Sequence, residues 1–245
     1  MLFPDITYSF YKVWADLYRI PYDTPALDGD FNIIPEDYEK ENGGVIFPNP
    51  NAPTGIYMPL EQVEGILKAN QDVVVIVDEA YIDFAGPSAL ELIGRYENLL
   101  VVQTFSKSRS MAGMRIGFAI GNQRLIRALN DVKYSYNSYT MNLTSIVMGA
   151  ESVRDEAYFK ETTDKIIATR ERAKTRLREL GFTFPDSQAN FIFASHPRVP
   201  ACKLFEALKE EQIYVRYFGG ERLCDSLRIS IGSDEEMDVL FAFLE

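Results

Sequence analysis

Short apolar runs alternate with longer amphipathic stretches along this chain. Residues 8–18 (YSFYKVWADLY) place aromatic and apolar side chains at helical spacing. Residues 44–48 (GVIFP) read as a strand. Pro59 then opens a helix over 60–69, with Leu60, Val63, Ile66 and Leu67 on one stripe. Residues 73–77 (VVVIV) form a continuous β-branched run, as expected of a strand covered on both faces in a parallel sheet. Leu99–Val102 repeats the pattern, and 116–120 (IGFAI) is expected to do so again. A helical stretch is predicted from about 141 to 180, ending at Gly181 as a C-terminal cap. Beyond it come a strand (NFIFAS), a helix after Pro200, strands in IYVRYF and LRISIG, and a closing helix (EEMDVLFAFLE).

This order predicts an α/β protein. Residues 1–140 are expected to form a large unit with a mostly parallel sheet and helices on both faces. Residues 141–245 are expected to form a small α+β unit, joined to the first by the long helix at its start. No repeats or low-complexity linkers interrupt the chain.

Composition narrows the function. The 245 residues carry 25 Lys and Arg against 36 Asp and Glu, a formal charge of −11, so a global basic footprint for nucleic acid is absent. No apolar run reaches membrane-spanning length, and the first residues (MLFPDITYSFYKVW) lack a basic signal region, so a cytoplasmic protein is expected, with no membrane partner. Cys202 and Cys224 form no metal spacing or disulfide framework, and the single histidine, His196, is expected in a solvated loop; no metal site is predicted.

Three segments carry candidate chemistry. Asn49-Pro50-Asn51-Ala52-Pro53-Thr54-Gly55 follows a strand and could be only a turn. Asp78-Glu79-Ala80-Tyr81 ends the VVVIV strand, where open α/β sheets place ligands, although a structural acid would look the same. Thr104-Phe105-Ser106-Lys107 follows the next strand, with Arg115 eight residues on; the plain alternative is a solvated charged loop. Neither G-x-x-x-x-G-K-[ST] nor G-x-G-x-x-G is present, which leaves nucleotide readings without their phosphate loops, and the Y-x-x-x-K spacing of Tyr8 and Lys12 without its dehydrogenase context. Taken together, an acid, a lysine and a hydroxyl-arginine cluster at neighbouring strand ends are what pyridoxal 5′-phosphate needs: a partner for its ring nitrogen, an amine for its aldehyde and donors for its phosphate.

With NPNAPTG (49–55), DEAYIDF (78–84), TFSKSRSMAGMRIG (104–117), ANFIF (189–193), YVRYF (214–218) and LRISIG (227–232), the chain resembles the fold-type I pyridoxal-phosphate-dependent aminotransferases. More narrowly it resembles the branch acting on histidinol phosphate. The resemblance implies that Lys107 is the Schiff-base lysine and later the general base, that Asp78 pairs with the ring nitrogen and that Tyr81 donates to the ring hydroxyl. It implies that Thr104, Ser106 and Arg115 hold the cofactor phosphate, and that Tyr8 stacks on the ring; the alternative for Tyr8 is a core tyrosine of the first helix. Arg228 matches the clamp for a substrate α-carboxylate, and Arg216 a residue used on the substrate phosphate; Tyr134 is carried over to the substrate region. Ala52 stands where relatives often have a ring-contacting Asn, and Asn51 is the candidate substitute.

The implied reaction is transamination between histidinol phosphate and 2-oxoglutarate, or in reverse between imidazole-acetol phosphate and glutamate, in a homodimer or other homo-oligomer. Family members are longer, and the resemblance implies that an N-terminal arm, a first strand and a glycine-rich phosphate loop lie outside this chain. Three other readings follow: an inactive truncated fragment, an aromatic-amino-acid aminotransferase, and a threonine-phosphate decarboxylase.

Overall fold

The computed structural model describes residues 1–245. Helix α1 (Phe10–Tyr18) turns Tyr11 and Ala15, one helical turn apart, inward against Phe3, Tyr22 and Ile46, and stops at Arg19 in a left-handed conformation. Strand β1 (Val45–Pro48), helix α2 (Leu60–Ala69), strand β2 (Val75–Asp78) and strand β3 (Leu99–Thr104) follow. The three strands are neighbours and parallel. Val45, Phe47, Val75, Val77, Leu99 and Val101 face Val63, Ile66 and Leu67 of α2, forming the larger core. The alternate residues Ile46 and Ile76 point to the opposite face, which α1 covers in part.

The segment expected to be a further buried strand behaves differently. Strand β4 (Gly117–Gly121) runs antiparallel to β3 at the sheet edge, and Phe118 and Ile120 remain exposed. Hydrophobic alternation reports strand, but it does not report direction or what covers the face. Helix α3 (Gln123–Tyr136), absent from the elements expected above, follows at once, capped by the Asn122 side chain. The predicted single stretch over 141–180 is two helices, α4 (Leu143–Arg154) and α5 (Glu156–Glu179). Asp155 divides them: it terminates α4, and its carboxylate accepts the Tyr158 N–H at 3.1 Å to start α5. Gly181 ends α5 as expected, at φ +88°, with the Phe182 N–H reaching the Leu177 carbonyl and the Gly181 N–H that of Arg178.

Strand β5 (Phe191–Ser195), helix α6 (Ala201–Glu210), strand β6 (Arg216–Tyr217), strand β7 (Ser226–Ser230) and helix α7 (Asp234–Leu244) complete the chain. Their antiparallel sheet has the order β5-β7-β6 and packs its apolar face on α5, α6 and α7. The IYVRYF strand shrinks to two paired residues. His196, expected in solvent, is half-buried and meets the edge of the Phe182 ring at 4.9 Å between centroids.

The two sheets are tied together by hydrogen bonds to backbone. Buried Arg170 of α5 donates to the Phe84 carbonyl beyond β2 and to the Ala189 carbonyl before β5. The Gly55 carbonyl accepts the Gln188 N–H at 2.8 Å. Gly55 has φ +79°, and a Cβ there would collide with the fully buried Ser187 side chain, which is itself held by Phe191 and Ala189. Gly55→Ala therefore adds a left-handed penalty to a clash that cannot relax, and is expected to cost about 2–4 kcal/mol, measured by denaturant unfolding. A cost below about 0.5 kcal/mol would show that this junction yields.

No helix of the structure is long and apolar enough to cross a membrane.

Candidate active site

Period-two alternation sets the direction of the central acid. Val75 and Val77 point to α2, so Ile76 and Asp78 point to the α1 face. There Asp78 accepts the Tyr11 phenol at 2.7 Å through Oδ2 and the Ala80 N–H at 3.2 Å through Oδ1. Burial pushes the Asp78 carboxyl above its ordinary range, opposed by those two donors and by the Lys107 ammonium. Glu79, one residue on, turns inward and serves the fold: it accepts from Ser88, Ala89 and Gln103 and anchors the loop behind the site. Of the two adjacent acids, only Asp78 retains free acceptor positions toward the cleft.

Strand β3 lies beside β2, with Val102 opposite Asp78, and Thr104 continues the same face two residues on. Thr104 donates to Ser106 Oγ at 3.0 Å and accepts the Ser106 N–H, folding the chain into the turn that presents Lys107. Lys107 is half-buried, and its Nζ stands 5.4 Å from the centre of the Tyr81 ring. It makes no hydrogen bond or ion pair within the chain. Arg115 is exposed in a left-handed conformation, with one guanidinium nitrogen on the Ala112 carbonyl and the rest free.

A line of contacts runs from Lys107 into the small sheet. The Tyr81 ring meets the edge of Phe191 at 5.0 Å between centroids. Arg228 lies 5.0 Å from the Phe191 centroid and 5.8 Å from that of Phe218, and Arg216 lies 5.6 Å from Phe218. Arg216 and Arg228 are direct cross-strand partners on β6 and β7, so they share one face. Opposed like charges destabilise a sheet unless an anion meets them, and neither takes part in any of the chain's ion pairs. The Arg228 Nε is buried with no hydrogen-bond partner.

The structure bears on three of the sequence candidates. Asn51 is buried, and both its amide hydrogens are committed, to the Ile6 carbonyl at 3.0 Å and to Thr54 Oγ1 at 3.1 Å; it has no donor left for a ligand. The NPNAPTG segment is thus a turn that braces the site, with Asn49 closing it through paired bonds to Met58. Tyr8 is not a core residue of the first helix: it precedes α1 and is 44% exposed, with its ring against Phe10, Tyr11 and Trp14. Tyr134 stands exposed on α3 beneath the Lys133 ammonium, and no hydrogen bond or ring contact joins it to the Asp78 cluster. Conversely, Tyr11 and Phe191 were not distinguishable in sequence from ordinary core aromatics. The one available signal was that Tyr11 sits a helical turn from Ala15 on the face that packs over the acid's strand.

An unpaired lysine, a buried carboxylate and a hydroxyl-bearing turn, gathered at the carboxyl ends of parallel strands, define an α/β enzyme built around pyridoxal 5′-phosphate: the donor set fits the cofactor's ring nitrogen, aldehyde and phosphate. Residues 1–244 match the profile of aminotransferase class I and II, and the chain belongs to that family. It is 51% identical over 238 residues to the histidinol-phosphate aminotransferase of Brachyspira hyodysenteriae, covering 97% of this chain and 67% of that protein. The histidinol-phosphate aminotransferase of Clostridium acetobutylicum superposes with a TM-score of 0.92 at 25% identity, over 99% of this chain and 76% of that one. That of Sinorhizobium meliloti, solved in complex with pyridoxal 5′-phosphate, shares the fold with a TM-score of 0.88 at 24% identity, over 100% and 68%.

Proposed function

We propose that the chain catalyses transamination between histidinol phosphate and 2-oxoglutarate, in the biosynthetic direction between imidazole-acetol phosphate and glutamate. The observation that carries this reading is the opposed, unpaired Arg216–Arg228 couple, joined through Phe191 and Tyr81 to Lys107. The two substrates present different anions, a carboxylate on glutamate and a phosphate on histidinol phosphate, and two guanidinium forks on one face suit both in turn. The relatives named for histidinol phosphate support the same assignment.

When bound, pyridoxal 5′-phosphate supplies the aldehyde that takes up the amino group and the ring that withdraws electrons. Lys107 would hold the cofactor through its aldehyde, and its Nζ is the base that would carry the substrate's α-proton. Asp78 receives the protonated ring nitrogen. The Tyr81 hydroxyl, which has no partner within the chain, donates to the ring oxygen. Ser106, Thr104 and Arg115 bind the cofactor phosphate, and Tyr8 stacks on the ring. Arg228 clamps a carboxylate and Arg216 a phosphate. Residues 1–140 form the cofactor-binding unit of this reading, and residues 141–245 the smaller unit. The apolar side chains left exposed on α1 and α4, among them Trp14, Leu17, Leu143 and Ile146, support a homo-oligomer.

The test of the substrate assignment is Arg216→Ala. Losing a charge-assisted contact to phosphate is expected to lower kcat/KM for histidinol phosphate about 10²-fold, while the value for phenylalanine falls by less than about threefold. Equal losses on both amino donors would remove the phosphate role and favour an aromatic-amino-acid aminotransferase.

A further inference from the structure

The contact between Tyr11 and Asp78 is the one strong interaction at the cleft that the roles above do not use. A carboxylate rotates freely about its last bond when a single donor holds one oxygen. Asp78 has two donors on two oxygens: the Ala80 N–H on Oδ1 and the Tyr11 phenol on Oδ2 at 2.7 Å. The amide bond is the longer, at 3.2 Å, and comes from the acid's own turn. The phenol comes from another element and is itself immobile: Tyr11 is 2% exposed, with ring contacts to Phe3, Tyr8 and Trp14.

We propose that Tyr11 is a positioning residue for Asp78, its phenol fixing the carboxylate's rotation so that the remaining lone pairs face the ring nitrogen of the cofactor. This rests on the assignment of Asp78 as the ring-nitrogen partner. Tyr11 does not act as an acid. Burial and the neighbouring Asp78 push its hydroxyl well above the ordinary phenol range, so it stays a donor at every working pH. The groups facing the pair are Tyr8 on the α1 side, Tyr81 beyond β2 and Lys107 beyond β3. Of these, Lys107 is the one cation, and it turns to the substrate during the reaction. The phenol is therefore the donor that stays with Asp78 throughout.

The test follows the Asp78 carboxyl directly. In the full chain labelled with ¹³C at aspartate carboxyls, the Asp78 signal is assigned by its loss in Asp78→Asn and titrated without cofactor. Tyr11→Phe removes only the hydroxyl and is expected to raise the midpoint by about one pH unit or more, since burial then acts with one fewer donor against it. Tyr22→Phe, whose ring stacks on Phe3, leaves the midpoint in place. 3-Fluorotyrosine installed at position 11, a stronger donor of the same shape, lowers it. This second substitution keeps the question decidable if Tyr11→Phe folds poorly. With ¹⁵N-labelled pyridoxal 5′-phosphate, the ring-nitrogen signal of Tyr11→Phe shifts toward the unprotonated position. A midpoint unmoved by both changes at position 11, or a ring-nitrogen signal identical to wild type, overturns the proposal. A wild-type chain that acquires no lysine-dependent absorbance, while its Asp78 midpoint still follows Tyr11, would keep the Tyr11–Asp78 bond but overturn the functional reading and, with it, the positioning role.

Discussion

Lys107→Ala removes the visible absorbance that pyridoxal 5′-phosphate gives with the wild-type chain, removes its covalent fixation by borohydride, and lowers transamination by at least about 10³-fold. The size follows from two functions lost at one atom. On the proposed reading Nζ is the covalent attachment point and also the base that moves the substrate proton. The substitution leaves the fold in place, because the Lys107 side chain is half-buried and makes no hydrogen bond or ion pair. Its Nζ stands 5.4 Å from the Tyr81 ring. The measurement is a spectrum before and after borohydride, with mass analysis of the reduced protein. Fixation that persists in the alanine variant would place the reactive amine elsewhere. Fixation absent from the wild type as well would make the chain an inactive member of its family.

Asp78→Asn is expected to slow the glutamate half-reaction by about 10²–10³-fold. Asparagine keeps the shape and can still accept from the Tyr11 hydroxyl. Its other arm is an amide donor with no charge. A donor facing the ring nitrogen leaves it unprotonated, and the ring then withdraws electrons poorly from the reacting carbon. The loss falls on kcat, because the interaction strengthens as charge develops during proton removal. Single-turnover absorbance changes report it. Unchanged half-reaction rates would mean that Asp78 is not the ring-nitrogen partner.

The fold and the site were legible to different degrees. Strands β1, β2, β3, β5 and β7 and helices α1, α2, α6 and α7 were readable because their apolar positions recur with one clear period, and because Pro59 and Gly181 punctuate the chain. Helix α3 is amphipathic, with Leu125, Ile126, Leu129 and Val132 at helical spacing, yet its residues are all at least partly exposed, so that stripe meets no core within the chain. The split at Asp155 was hidden, since a capping aspartate inside a charged helical stretch looks like any other surface acid. Asp78, Lys107, Thr104 and Ser106 stand out as candidates in the sequence because strand ends carry such chemistry in contiguous motifs. For Asn51 the motif says nothing of where its amide hydrogens go, and the structure directs both to the fold.

The sequence by itself determined the family and most of the elements in their order, and it supplied the candidate acid, lysine and arginines. Those are local properties, written in periodicity and in residue type at strand ends. Tertiary structure alone decided which charges meet. Strand pairing placed Arg216 opposite Arg228, although twelve positions separate them in the chain. Sheet alternation turned Asp78 toward α1 and Glu79 into the protein. The packing of α1 brought the Tyr11 phenol, 67 residues away in sequence, onto the Asp78 carboxylate. Such contacts depend on register and on which face of one element covers another, and neither is encoded in any short stretch of residues.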